Sequence, residues 1–117
     1  MITVTQTDVE LVFDILNLLV FAPEGFKVPI PDHLDVSLLN GYLGYVIKVK
    51  VGDKEYTTCI LNTEYHSWDE FVEIVAHEMI HLYQVIVLGA YGDHDEFFWS
   101  MKPIFEKYGI PLREGDI

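Results

Sequence analysis

The sequence has a single cysteine, Cys59, so neither an intramolecular disulfide nor a cysteine-ligated zinc ribbon can form. Basic side chains are scarce: 7 Lys and Arg stand against 19 Asp and Glu, a formal charge of −12. Such a surface repels phosphate backbones and anionic membrane faces unless a local basic patch intervenes. The one basic cluster, Lys48, Lys50 and Lys54, is interrupted by Asp53 and Glu55. Neither direct nucleic-acid binding nor membrane association is expected. Long apolar runs are also missing. The stretch from Leu11 to Ala22 is broken by Asp14 and Asn17, has no basic segment before it and is too short to cross a bilayer. A soluble, cytoplasmic protein in a reducing compartment is the expectation. Internal repeats and low-complexity segments are absent.

What is present suits one folded unit. The 117 residues are 50% hydrophobic and 14% aromatic, enough for a core, and residues 1–117 read as a single domain. Thr7 and Glu10 fit a capping box, opening an amphipathic helix that ends before Pro23. Residues 23–40, with Pro23, Pro29, Pro31 and Gly25, read as mostly loop. Alternation from Leu43 to Val51, a turn at Gly52-Asp53-Lys54 and a return from Glu55 to Leu61 predict a β-hairpin. Ser67 and Glu70 form a second capping box, starting a helix from Trp68 to Leu88 that Gly89 and Gly92 terminate. Asp93 and Glu96 suggest a third, for a last helix reaching about Tyr108 with a kink or boundary at Pro103. Residues 109–117 read as a loose tail. The order of helix, hairpin, helix, helix is α+β.

The long helix carries His77-Glu78-Met79-Ile80-His81, an H-E-x-x-H pattern. At 100° per residue, Glu70, Glu73, His81, Gln84 and Leu88 lie within about 40° of His77, opposite an apolar face of Val72, Val75, Met79, Leu82 and Ile86. Both histidines therefore occupy positions suited to a solvated stripe. Glu78 does not: it lies about 100° around, among Phe71, Ile74, Leu82 and Val85, where a carboxylate is costly without a partner or a task. Residues four apart on a helix are roughly 5–6 Å apart, so two imidazoles can share one metal. Neutral imidazole suits Zn²⁺, which in catalytic sites keeps one position for water. Glu78 is placed to take that water's proton as it attacks a carbonyl. A third ligand is needed from Asp93, His94, Asp95 or Glu96. His94, in the first turn of the next helix, is the first choice, and Glu96 would instead give a two-His, one-Glu site.

These residues resemble the SprT-like zinc metallopeptidases, the group that includes Spartan-type proteases. The resemblance rests on a strand ending Ile60-Leu61-Asn62, on His77-Glu78-Met79-Ile80-His81, and on His94 followed by Phe98-Trp99. It implies a small zincin (minigluzincin-like) fold, one catalytic Zn²⁺ on His77, His81 and His94, Glu78 as catalytic base, and a protein or peptide substrate. It further implies that Tyr56, Thr57, Thr58, Cys59, Ile60 and Leu61 form the edge strand on which that substrate pairs. Family members often have glycine beside the third histidine, where Asp93 and Asp95 stand here, and many append a zinc ribbon or DNA-binding tail, neither of which is expected within these 117 residues with their single cysteine. The competing reading is a non-catalytic acidic binding protein, or nucleic-acid mimic, on a zincin-like core. Among other residues, Phe97, Phe98, Trp99, Met101 and Phe105 read as core, His33 and His66 as surface, and Cys59 as a small buried hydrophobe. Tyr65, His66, Tyr83 and Tyr91 are candidates to stabilise an oxyanion.

Overall fold

The computed structural model describes residues 1–113. A short strand, β1 (Ile2–Thr3), leads into α1 (Gln6–Leu16). The capping box lies two residues earlier than expected. Thr5 Oγ1 accepts from the Asp8 N–H at 3.2 Å, and Asp8 Oδ2 accepts from the Thr5 N–H at 2.9 Å. Aspartate at that position closes the box as well as glutamate would, and Thr5 supplies the extended backbone that a cap needs. A π-helical turn (Asn17–Phe21), closed by Ala22 N–H to Asn17 O, follows and buries Val20 and Phe21.

The stretch expected to be loop contains a strand, β2 (His33–Ser37). It pairs in parallel with Thr58–Asn62, so its partner lies outside its local sequence. Its other edge is bracketed by Gln6, whose side-chain N–H donates to Leu34 O and whose Oε1 accepts from the Val36 N–H at 3.0 Å. The prolines all precede it, where they withhold no ladder hydrogen bond.

The hairpin is β3 (Gly44–Val51) and β4 (Lys54–Asn62), joined at Gly52-Asp53 with Gly52 at φ 63°. Gly44 and Val46 face the helices, while Ile47, Val49 and Val51 are exposed. The sheet order is β2-β4-β3, which corrects the expectation for Tyr56–Leu61. These residues lie in the central strand, paired with β3 along its length and with β2 from Thr58 onward. The Thr57 N–H is also engaged, donating to Asp32 Oδ2 at 2.8 Å. No backbone edge remains at Thr57–Leu61 for a substrate to join; the outer strands are β2, whose edge Gln6 covers at Leu34 and Val36, and β3.

A two-residue strand, β5 (Glu64–Tyr65), pairs with β1 and precedes α2 (Trp68–Ile86). Ser67 Oγ caps α2 by accepting from the Glu70 N–H at 3.1 Å, and Glu70 reaches back to the His66 N–H at 2.9 Å. Chain reversal at Gly89, with φ 64°, ends the helical run two residues before Leu88. The expected last helix is two pieces, α3 (Glu96–Ser100) and α4 (Lys102–Lys107), divided at Met101 with Pro103 in the first turn of α4. Asp95, not Asp93, is the α3 cap, accepting from the Phe98 N–H at 3.0 Å. His94 therefore lies just outside the helix, not in its first turn.

α2 packs on β3 and β4, and α1 packs against both α2 and β2. Phe21 meets Phe105 edge-on, fastening α4 to the π-helical turn. Of the aromatic run expected in the core, Phe98, Met101 and Phe105 are fully buried, and Phe97 and Trp99 are half-buried. Residues 109–113 are not a loose tail: Leu112 joins the core, and Arg113 Nε lies 2.9 Å from Glu73 Oε1. The remainder of the expected tail, 114–117, lies outside the described residues. Among the described residues no helix is long and apolar enough to cross a membrane.

Candidate metal centre

α2 is buried on more than its apolar face. His77 is 2% exposed, His81 6% and Gln84 0%, so the solvated-stripe account of the two histidines does not hold. What covers them is the 89–95 segment and α3. Gly92 lies so close that a Cβ there would meet the His81 side chain at 3.3–3.4 Å. Two residues on, His94 turns toward the same point. His81 Nε2 and His94 Nε2 stand 3.1 Å and 3.2 Å from His77 Nε2, and the three side chains are close enough to hold one metal ion. Of the four candidates for third donor, His94 is the one brought to this cluster. The Asp93 main-chain carbonyl and the Asp95 carboxylate accept from Gln84, the Asp93 side chain is not part of the cluster, and Glu96 is exposed in the first turn of α3.

The aromatic residue after the third histidine has a physical role here. The Phe98 ring is stacked 4.3 Å from His94 and lies 5.0 Å and 5.4 Å from His77 and His81, a single apolar floor beneath all three imidazoles. Trp99 packs edge-on against Phe98 at 5.0 Å and supports it from the far side. Burial, with His81 and His94 alongside, lowers the His77 pKa to about 3, and burial likewise lowers that of His81. Both rings are thereby held neutral, the form in which imidazole binds a metal.

Glu78 is 2% exposed, and burial alone raises its pKa to about 8. Its Oε2 has no hydrogen-bond partner among the described residues. The strand above it makes this possible: Gly44 lies so near that a Cβ would sit 3.3 Å from Glu78 Cγ. A side chain at position 44 would occupy the space of the carboxylate stem. Cys59 is buried in β4, where burial and then the nearby Glu78 raise its thiol pKa well above normal, so it is an inert core residue. Tyr65 donates its hydroxyl to Leu43 O at 2.6 Å, and Tyr83 stacks on Phe97, so both are engaged in packing. Tyr91 and His66 are exposed.

Three residues of this arrangement were not singled out by their patterns. Gly44 read only as an alternate strand position, Gly92 only as a helix breaker, and Gln84 only as part of the polar stripe. Gln84 does carry a signal in retrospect, because it falls three residues after His81 on the same face. No family model, curated protein sequence or solved structure matches this chain.

Proposed function

We propose that this chain is a zinc-dependent peptidase of the SprT-like type, built on a small zincin domain. The observation that carries the reading is the convergence of three imidazole nitrogens on one point, with a buried carboxylate whose Oε2 has no hydrogen-bond partner among the described residues on the same helix. The donor set fits zinc in number and size. Nitrogens about 2.0–2.1 Å from a tetrahedral Zn²⁺ are roughly 3.3–3.4 Å from one another. The separations of His81 and His94 from His77, 3.1 and 3.2 Å, need only slight expansion, and all three donor atoms lie within 4.8 Å of one another. Three protein ligands leave one position open, the pattern of catalytic rather than structural zinc.

Bound there, zinc supplies Lewis acidity toward a carbonyl and lowers the pKa of water at the open position toward neutrality. The chain's own contribution is Glu78. Burial raises its pKa to about 8, and a cation held by the neighbouring imidazoles would favour its ionised form. A carboxylate poised in this way removes a proton from the attacking water and returns it to the departing amine nitrogen as the peptide bond breaks. Phe98 packs against all three imidazoles, and Gly44 lets β3 approach the Glu78 stem closely.

The sheet order supports a substrate path along β3. β3 is an outer strand whose far edge pairs with no other strand, and Gly44 brings it close to Glu78. A groove of about 680 Å³ runs between Val46, Lys48 and Lys50 of β3 and Gly92, Asp93 and Asp95 on the other side. An extended peptide adding to β3 by backbone pairing would pass Glu78.

The test compares wild type, His77→Ala and Glu78→Gln for zinc content and for cleavage of casein or an unstructured peptide. One equivalent of zinc, lost in His77→Ala, is expected, with cleavage abolished and zinc retained in Glu78→Gln. Absence of zinc under replete conditions would overturn the metal site, and cleavage unchanged in Glu78→Gln would remove Glu78 from the mechanism. Zinc uptake without any Glu78-dependent hydrolysis would favour the binding-protein reading.

A further inference from the structure

We infer that Gln84 is a positioning residue that assembles the third-ligand half of the metal site, fixing the tautomer of His81 and clamping the segment that carries His94. The inference rests on the zinc reading above, but its geometry is independent of any bound ion. Gln84 is fully buried one turn after His81. Its Nε2 lies 2.9 Å from Asp93 O and 2.9 Å from Asp95 Oδ1, both of which can only accept. The amide nitrogen must therefore face these two oxygens, which turns Oε1 toward His81 Nδ1 at 2.8 Å. An amide oxygen can only accept, so Nδ1 carries the proton and His81 Nε2 presents a lone pair to the metal position. The opposite orientation of the amide would set oxygen against two oxygens and leave both N–H groups without acceptors.

The same residue ties down the other half of the site. Its backbone carbonyl accepts from the Ala90 N–H at 2.9 Å, so side chain and backbone together hold the 90–95 segment against α2. Asp95 Oδ1, which takes one of the amide protons, also caps α3, and His94 lies between the two clamped residues. One glutamine thus links the helix bearing two ligands to the segment bearing the third.

A buried glutamine that only stabilises the fold would affect melting without selecting a His81 tautomer, and the experiment separates the two roles. Long-range ¹H–¹⁵N spectra of the metal-free protein should show His81 protonated at Nδ1. Gln84→Met keeps the volume but removes the amide, and should move His81 toward the Nε2–H form that imidazole prefers in water. Zinc affinity should fall about 10–100-fold, the usual consequence of losing such a support, and cobalt substituted for zinc should lose its tetrahedral absorption. Asp95→Ser keeps an oxygen to cap α3 but cannot reach Gln84. It should leave the His81 tautomer unchanged while altering the cobalt spectrum and weakening zinc binding. A folded Gln84→Met protein with the wild-type tautomer and affinity would overturn the proposal. Should that variant fail to fold, an unchanged cobalt spectrum and zinc affinity in Asp95→Ser would overturn the clamp. If wild type binds neither metal, the zinc reading fails, and the tautomer comparison still decides the role of Gln84.

Discussion

Gly44→Ala is a one-atom perturbation aimed at the contact between the sheet and Glu78. The added Cβ would stand 3.1 Å from Leu61 Cδ1, 3.2 Å from Ile60 O and 3.3 Å from Glu78 Cγ. Ordinary carbon contacts are about 3.5–4.0 Å, so each neighbour would have to yield by a few tenths of an ångström. Ile60 O cannot easily do so, because β4 is held by strands on both sides, and Leu61 is fully buried. Glu78 is the group that gives way, since nothing holds its Oε2. Overpacking of this kind costs about 1–3 kcal/mol, offset by roughly 0.5–1 kcal/mol for replacing glycine within a strand. A net loss on the order of 1–2 kcal/mol should lower Tm by roughly 4–8 °C in a domain of this size. Peptide cleavage should fall further than stability implies. A misplacement of about 1 Å can cost 10²-fold, so a displacement of a few tenths corresponds to roughly 3–10-fold in kcat. Zinc affinity should be unchanged, because the new methyl group meets none of the three histidines. Thermal melting, zinc competition and peptide cleavage on the same preparation test this. Wild-type melting and turnover would refute the close approach of β3 to Glu78. Parallel loss of zinc affinity and activity would mean that the strand supports the ligands instead.

His94→Ala should abolish stoichiometric zinc uptake, whereas Glu96→Ala should leave it intact; the reverse result in metal analysis would restore the two-His, one-Glu alternative. Asn17→Ala removes both hydrogen bonds to the Val28 main chain, at 2.7 and 2.8 Å, and should cost about 2–3 kcal/mol by leaving buried backbone groups unpaired. A urea midpoint equal to wild type would show that the 23–32 segment does not depend on Asn17. Tyr65 gives a pH dependence of definite sign: burial raises its folded pKa above the ordinary 10.0, so its contribution is complete below pH 10 and is lost as pH rises toward the folded value. The Tm of wild type should therefore fall more steeply above pH 10 than that of Tyr65→Phe, and identical slopes would assign the loss to other groups.

The helical half of the candidate site was legible because its geometry is local. His77, Glu78 and His81 are fixed relative to one another by helical geometry alone, and Glu78 was conspicuous as a carboxylate among apolar neighbours. The second capping box was similarly local, and Ser67 caps α2 as its pattern indicates. The position of His94 was harder. Asp93-His94-Asp95-Glu96 offers two aspartates as caps, and the Asp95 carboxylate that caps α3 is also held by Gln84, which comes from the preceding helix. The burial of the polar stripe was invisible for a related reason. A helical wheel shows which side chains share a face, but not that Gly92 allows a later segment to close over His81.

The sheet order failed to emerge from the sequence because nothing in the hairpin specifies what lies on its far side. Alternation identified β3 and β4, and a hairpin alone leaves both of its outer edges open. Which edge is filled depends on residues 33–37, whose alternation spans only Leu34 and Val36 and follows two prolines. Their pairing with β4 is parallel and comes from about 25 residues away in the chain, so no turn signal announces it. Gln6 contributes more than local propensity could, because a side chain from α1 occupies the backbone groups of Leu34 and Val36 that a further strand would otherwise use. With one side of the sheet closed in this way, the accessible edge moves from β4 to β3. That change strengthens the catalytic reading: a peptide aligned on β4 would have had to displace β2 or β3, whereas one aligned on β3 meets open backbone beside Gly44 and Glu78.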